Sequence, residues 1–196
     1  MTPEIRAFEY ALGLFSVLIG LAVADIAASF HRLARGKTRV IWDPLALLAA
    51  AYALCLAVGM WFDIWGVRKV SEARHFFFYM SLIAQLFVLY LIAAASLPDD
   101  PAQGGDLRTY YERNRRYFWM LIALFQAGYI AFGVYFAGSM LGRMPRASAA
   151  LILFVWVLLF AIPLTLATLK SRVLHYLGLV VLFVAQAWHY APYAID

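Results

Sequence analysis

The sequence predicts an all-α polytopic membrane bundle with six transmembrane helices. Three observations carry this. Of 196 residues, 65% are hydrophobic and only 14% are charged, against about 45–50% and about 25% in an ordinary soluble domain. The apolar residues fall into six runs, each near the ~20 residues a helix needs to cross a hydrocarbon core. The runs are continuous rather than alternating, which excludes a transmembrane barrel, whereas helices satisfy their own backbone groups in lipid. A chain of this size cannot bury so much apolar surface in a water-soluble core. Soluble enzymes, disordered chains and disulfide scaffolds are thereby excluded. No stretch is left for a soluble domain, so residues 1–196 read as a single transmembrane domain.

The first helix is expected over 8–30. Ala22-Val23-Ala24 before Asp25 has the look of a leader-cleavage site, but Glu4 and Glu9 outweigh Arg6 before the run. A cleaved leader starts basic, so the run reads as a retained helix. Gly36, between Arg35 and Lys37, is a natural stop. The second helix covers 42–62, with Asp43 before Pro44 as an N-cap. The third covers 76–97. The loop 98–116 opens with Pro98-Asp99-Asp100-Pro101, passes Gly104-Gly105 and reaches Asp106, another N-cap. Leu107, Tyr110, Tyr111 and Tyr117 then recur at helical spacing, with Arg108, Arg113, Arg115 and Arg116 between them. One long helix over 107–141 is predicted, its first turns at the lipid headgroups. The fifth helix covers 148–169 and contains Pro163, which frees a backbone carbonyl beside Thr165 and Thr168. The sixth covers 173–191. Three helices per half is the count of an inverted repeat, but the halves show no residue-by-residue likeness.

The net charge of +5 is the basic surplus of membrane-flanking loops, and no basic run marks a nucleic-acid surface. Ten Lys and Arg fall on the side of Arg32, Arg35 and Arg115, and six on the other. The richer side is expected to be cytoplasmic, which puts both termini outside, at the periplasmic face of a bacterial inner (plasma) membrane. Trp42, Trp61, Trp65, Trp119, Trp188, Tyr190 and Tyr193 read as interfacial belt residues. Cys55 is the only cysteine, so no intrachain disulfide forms and the thiol reads as packing.

Asp25 is the sharpest chemical feature. An ionisable group inside a span costs several kcal/mol unless paired, hydrated or protonated. Ser29 and Arg32 follow on its face. The trio reads either as an ion- or proton-binding point or as a structural ion pair near the interface. Gln85, Gln126 and Gln186 lie near mid-membrane and need partners there, so they are expected to point inward and to line a substrate or water path, with Tyr129 and Thr165 near them, or to act as interhelical glue. Gly13, Gly20, Ala24 and Ala28, with Ser16, form a small-residue stripe on helix one, and Ala46, Ala50, Ala53 and Ala57 form one on helix two. Such stripes let helices approach closely within the chain or between copies.

Four histidines, His31, His75, His175 and His189, lie near helix ends. His175 and His189 are 14 residues apart, about 21 Å along one helix face. This resembles the two-histidine helix of di-haem b-type cytochromes and offers haem b as an alternative cofactor. No nucleophile elbow, phosphate-binding glycine loop or metal-spaced cluster is present, so nothing in the sequence asks for catalysis, a metal or a cofactor in the leading reading.

Several stretches together resemble a set of bacterial six-helix integral membrane proteins of no assigned activity. These are Phe15 through Asp25 with His31-Arg32 after it, Trp42-Asp43, Leu97-Pro98, and Asp106 through Tyr111 with Arg115-Arg116. The resemblance implies the six-helix fold and no activity. Small six-helix bacterial potassium channels carry Arg-x-x-x-Phe-Ser-Asp in their first helix. Here Phe15-Ser16 is followed by Val17, and Ala11 stands where the arginine would be, so that function does not carry over. The sequence therefore predicts a small channel- or transporter-like homo-oligomer, in contact with lipid and not nucleic acid, that moves ions, protons or a small solute. The alternatives are a haem-binding cytochrome and a non-catalytic scaffold that docks partners through 106–117.

Overall fold

A computed structural model describes residues 3–35, 40–67, 76–99, 106–141 and 146–191. Their regular structure is six helices: α1 (Pro3–Arg35), α2 (Pro44–Val67), α3 (Phe76–Ser96), α4 (Leu107–Leu141), α5 (Arg146–Thr168) and α6 (Arg172–Tyr190). The only other pairing among these residues is an isolated bridge between Ile41 and Asp106. Five helices are long and apolar enough to cross a membrane, as an integral membrane protein requires: α1 from Glu9, α2 to Trp65, α3, α5 from Ala150, and α6. The sequence predicted six spans. α4 falls outside the five when described residues alone are considered. At 35 residues it is about 52 Å long, well beyond a ~30 Å core, and its charged first turns extend from an apolar second half. His75, the Gly36 turn and the Gly104-Gly105 stretch lie outside the described residues.

The helices close a circuit in the order α1, α3, α4, α5, α6, α2, and α2 also reaches α3 and α4 across the middle. A helix with that many neighbours must be apolar all round. α2 is, with Leu45, Ala46, Ala49, Ala53, Ala57 and Ile64 buried. The alanine stripe expected on helix two thus packs within the chain. The stripe on helix one does not: a Cβ built on Gly13 or Gly20 would meet nothing within 4 Å. α5 and α6 expose Leu151, Phe154, Val157, Val180 and Val184, the side chains a bilayer would cover. The core is continuous, with Phe15, Phe78, Leu86, Trp119 and Ile122 fully buried.

Both predicted caps form. Asp43 Oδ2 accepts from the Ala46 amide at 3.3 Å. Asp106 Oδ1 accepts from the amides of Arg108 at 2.9 Å and Thr109 at 3.3 Å. The Thr109 hydroxyl and amide hold the Asp106 carboxyl below the usual carboxylate range. α5 continues through Pro163, where Thr165 donates to the Ile162 carbonyl at 2.7 Å and Thr168 to the Thr165 carbonyl at 2.9 Å.

Candidate functional site

Chemistry gathers at both ends of the bundle. At the basic end, where α1 and α3 finish and α4 and α6 begin, Asp25, Ser29 and Arg32 share a face of α1 as their spacing requires. The partner is not the one their spacing suggests. Arg32 Nη2 donates to Ser29 Oγ at 2.8 Å and pairs with Asp99 Oδ1 at 2.8 Å, and Ser29 Oγ donates to the same oxygen at 3.1 Å. Asp99 follows α3. Tyr110 holds that corner in place, its hydroxyl donating to the carbonyls of Ala95 at 3.3 Å and Leu97 at 3.2 Å. Burial pushes the pKa of the Tyr110 hydroxyl up. Arg32 and Asp99 are 42% and 69% exposed, and such a pair contributes about 1 kcal/mol or less. Asp25 Oδ2 is left buried with no hydrogen-bond partner.

Beside this lies a denser cluster. Arg172 bonds Asp43, which is 7% exposed, and also Glu112 at 3.2 Å. The starts of α2, α4 and α6 are thereby tied together. One turn into α6, His175 Nδ1 stands 2.6 Å from the Tyr111 hydroxyl and 3.2 Å from Trp119 Nε1, and Nε2 is 3.0 Å from the Leu169 carbonyl. The consistent assignment puts the ring proton on Nε2, donating to Leu169, while Nδ1 accepts. Both ring nitrogens are therefore committed, and a haem iron would have to break one of these bonds. His31 is exposed on α1, which does not neighbour α6. His189 Nε2 lies 3.5 Å from Asp63. Among the described histidines, His175 thus offers no free ring nitrogen to a haem iron. No group of three His, Cys, Asp or Glu among them is arranged to hold a metal ion.

At the opposite end, α2, α4, α5 and α6 line a partly open pocket of about 210 Å³. Its inner wall includes Tyr52, Phe125 and Gln126. Its outer end is Asp63, His189 and Tyr190. The Tyr190 hydroxyl donates to Asp63 Oδ2 at 2.8 Å. Gln186 Nε2 donates to the Cys55 carbonyl at 2.6 Å, and Gln126 lies beside Tyr52 in the lining. The carbonyl oxygens of both glutamines, Oε1, are buried without a partner. Gly59 makes this arrangement possible. A Cβ there would stand 2.6 Å from the Tyr190 hydroxyl and 2.8 Å from Gln186 Nε2, so any larger residue would make the ends of these two side chains move.

Two of the three glutamines thus share one chamber, and the third does not. Gln85 leaves the trio for a clasp between α3 and α4, donating to the Phe125 carbonyl at 2.6 Å and lying against Gly128. Of the other polar residues expected near them, Tyr129 lines the chamber, whereas Thr165 bonds its own helix. No protein-family model matches the sequence, and no curated protein or solved structure matches it significantly. The site therefore stands on its own geometry. Asp63, Tyr52, Trp156 and Tyr190 escaped the sequence reading because each resembles a belt or core residue until the packing brings them together. Asp63 and His189 carried a usable signal: both are ionisable groups at the same end of their spans.

Proposed function

We propose that this membrane protein is a small transporter or channel that moves an ion, a proton or a small solute. The supporting observation is the pocket between α2, α4, α5 and α6, whose lining joins the polar side chains of Gln126, Gln186, Asp63 and His189 inside an otherwise apolar bundle. A buried acceptor without a donor costs about 1–3 kcal/mol. Gln126 Oε1 and Gln186 Oε1 are two such acceptors, close-packed beside this pocket. Asp25 is the counterpart at the basic end, a buried carboxylate oxygen with no donor. The setting of this reading is a bacterial inner membrane with the termini outside, and a homo-oligomer. The open Gly13–Gly20 face of α1 is available to a second copy or to lipid.

The test is reconstitution into liposomes, with proton, alkali-cation and small-solute flux followed in parallel. Wild-type protein is expected to carry at least one of these. Asp25→Asn, which keeps the shape and removes the charge, is expected to lower that flux at least about tenfold or to change its pH dependence. Absence of all flux for wild-type protein overturns the reading and leaves a docking role for the arginine-rich start of α4.

A further inference from the structure

We infer that the outer face of α4 holds an anionic phospholipid, its phosphate on Arg113 and Arg116 and an acyl chain running down the helix to the groove beside α5. The site does not depend on transport. Arg113, Tyr117, Met120, Leu124 and Ala131 recur at steps of three, four or seven residues and are all exposed, so they form one stripe along α4. Arg116, also exposed, is the helical neighbour of Arg113. The stripe changes character once. Its first turns are charged, Tyr117 stands at the boundary, and the side chains beyond it are apolar. A headgroup layer, an interfacial aromatic and a hydrocarbon core come in that order. A soluble acidic partner would cover only the charged turns, whereas a lipid matches both parts of the stripe.

The positive charge here is uncompensated. Glu112 is the adjoining carboxylate, and its Oε1 already takes Arg108 and Arg172, each at 3.2 Å. Asp106 is occupied by the amides it caps. No ion pair reaches Arg113 or Arg116 among the described residues. Lys170, exposed, adds a charge at this end of the bundle, two residues before the Arg172 that reaches α4. A zwitterionic headgroup brings an ammonium that such a patch repels. A glycerol headgroup leaves the phosphate charge alone, and a guanidinium binds phosphate through paired N–H donors. Below the arginines lies an open apolar groove of about 580 Å³, lined by Ala127, Ala131 and Val134 of α4 and Val157 and Phe160 of α5. Ala127 is 11 residues beyond Arg116, about 16 Å, close to the depth of one leaflet in a ~30 Å core. The two small alanines leave the space that the end of an acyl chain at this depth fills.

The test uses the full chain, delipidated in detergent and titrated with dioleoyl phosphatidylglycerol or dioleoyl phosphatidylcholine, which share their chains and differ in headgroup charge. Native mass spectrometry counts the lipids retained. Phosphatidylglycerol is expected to bind at least about tenfold more tightly. Arg113→Gln/Arg116→Gln is expected to weaken it at least about tenfold, since basic residues at an anionic lipid surface act additively. Arg35→Gln, which removes an exposed arginine of α1 at the same end, is expected to change it less than about twofold. Ala131→Trp, which fills the groove, is expected to weaken phosphatidylglycerol several-fold with both arginines in place. Glycerol phosphate, the headgroup without chains, is expected to compete poorly. Equal retention of the two lipids overturns the inference and leaves the arginines to an acidic partner protein. A preference that survives loss of both arginines, or falls equally in Arg35→Gln, overturns it as well. So does unchanged binding in Ala131→Trp, or glycerol phosphate competing as strongly as the lipid.

Discussion

Arg172→Met is expected to destabilise the protein by about 3 kcal/mol, in the range found when one partner of a buried ion pair is removed. Asp43 is the reason. Its side chain is 7% exposed, so without the guanidinium a carboxylate remains in a poorly solvated corner. It keeps only the α2 amide of Ala46 as a donor. Glu112, 51% exposed, loses the same partner but stays in contact with water and adds little. Asp43→Ala is expected to cost a similar amount, because it removes the cap as well as the pair. The double variant should cost clearly less than the two together, the signature of direct coupling. Thermal unfolding in detergent reads this as a fall in Tm on the order of 10 °C. Additive losses would mean that the ion pair does not hold the starts of α2 and α6 together.

Trp119→Ala is expected to cost about 3–5 kcal/mol, as large-to-small changes of buried aromatic residues do. Trp119 is fully buried, and its indole N–H donates to the Tyr111 hydroxyl at 3.0 Å as well as reaching His175. Trp119→Phe separates the two contributions. It retains most of the volume but loses the donor, and the Tyr111–His175 bond survives, so a loss of about 1 kcal/mol is expected. If Phe proved as damaging as Ala, the hydrogen-bonded triad rather than packing would set the stability of this end. Trp119 was read from the sequence as a belt residue. Its complete burial shows that such a tryptophan can instead face inward when a histidine of another helix, here His175 of α6, waits for its N–H.

That example marks the border between what was legible and what was not. Helix type and extent follow from unbroken apolar runs, which local sequence controls, and the caps at Asp43 and Asp106 follow from side chains that bond the next three residues. The continuous α4 was readable for the same reason. Partnerships between helices were not. Arg32 and Asp99 are 67 residues apart, and only the turn held by Tyr110 makes Asp99 a closer partner than Asp25. The direction in which each glutamine points was not legible: Gly128 leaves room for Gln85 at a backbone carbonyl, so it does not join the pocket lined by Gln126 and Gln186. Gly59, against which Tyr190 and Gln186 are laid, carries no message until α6 is placed on α2.

The central claim, that the chamber lies on a transport path, is tested most directly by thiol block. In a Cys55→Ser background, Gln126→Cys places a single thiol in the chamber wall. Proteoliposomes of this variant are treated with a small positively charged methanethiosulfonate, and flux of the transported species is compared before and after. The account predicts that the thiol reacts from the aqueous phase and that flux falls at least about tenfold. A thiol that reacts fully while flux continues unchanged would contradict it.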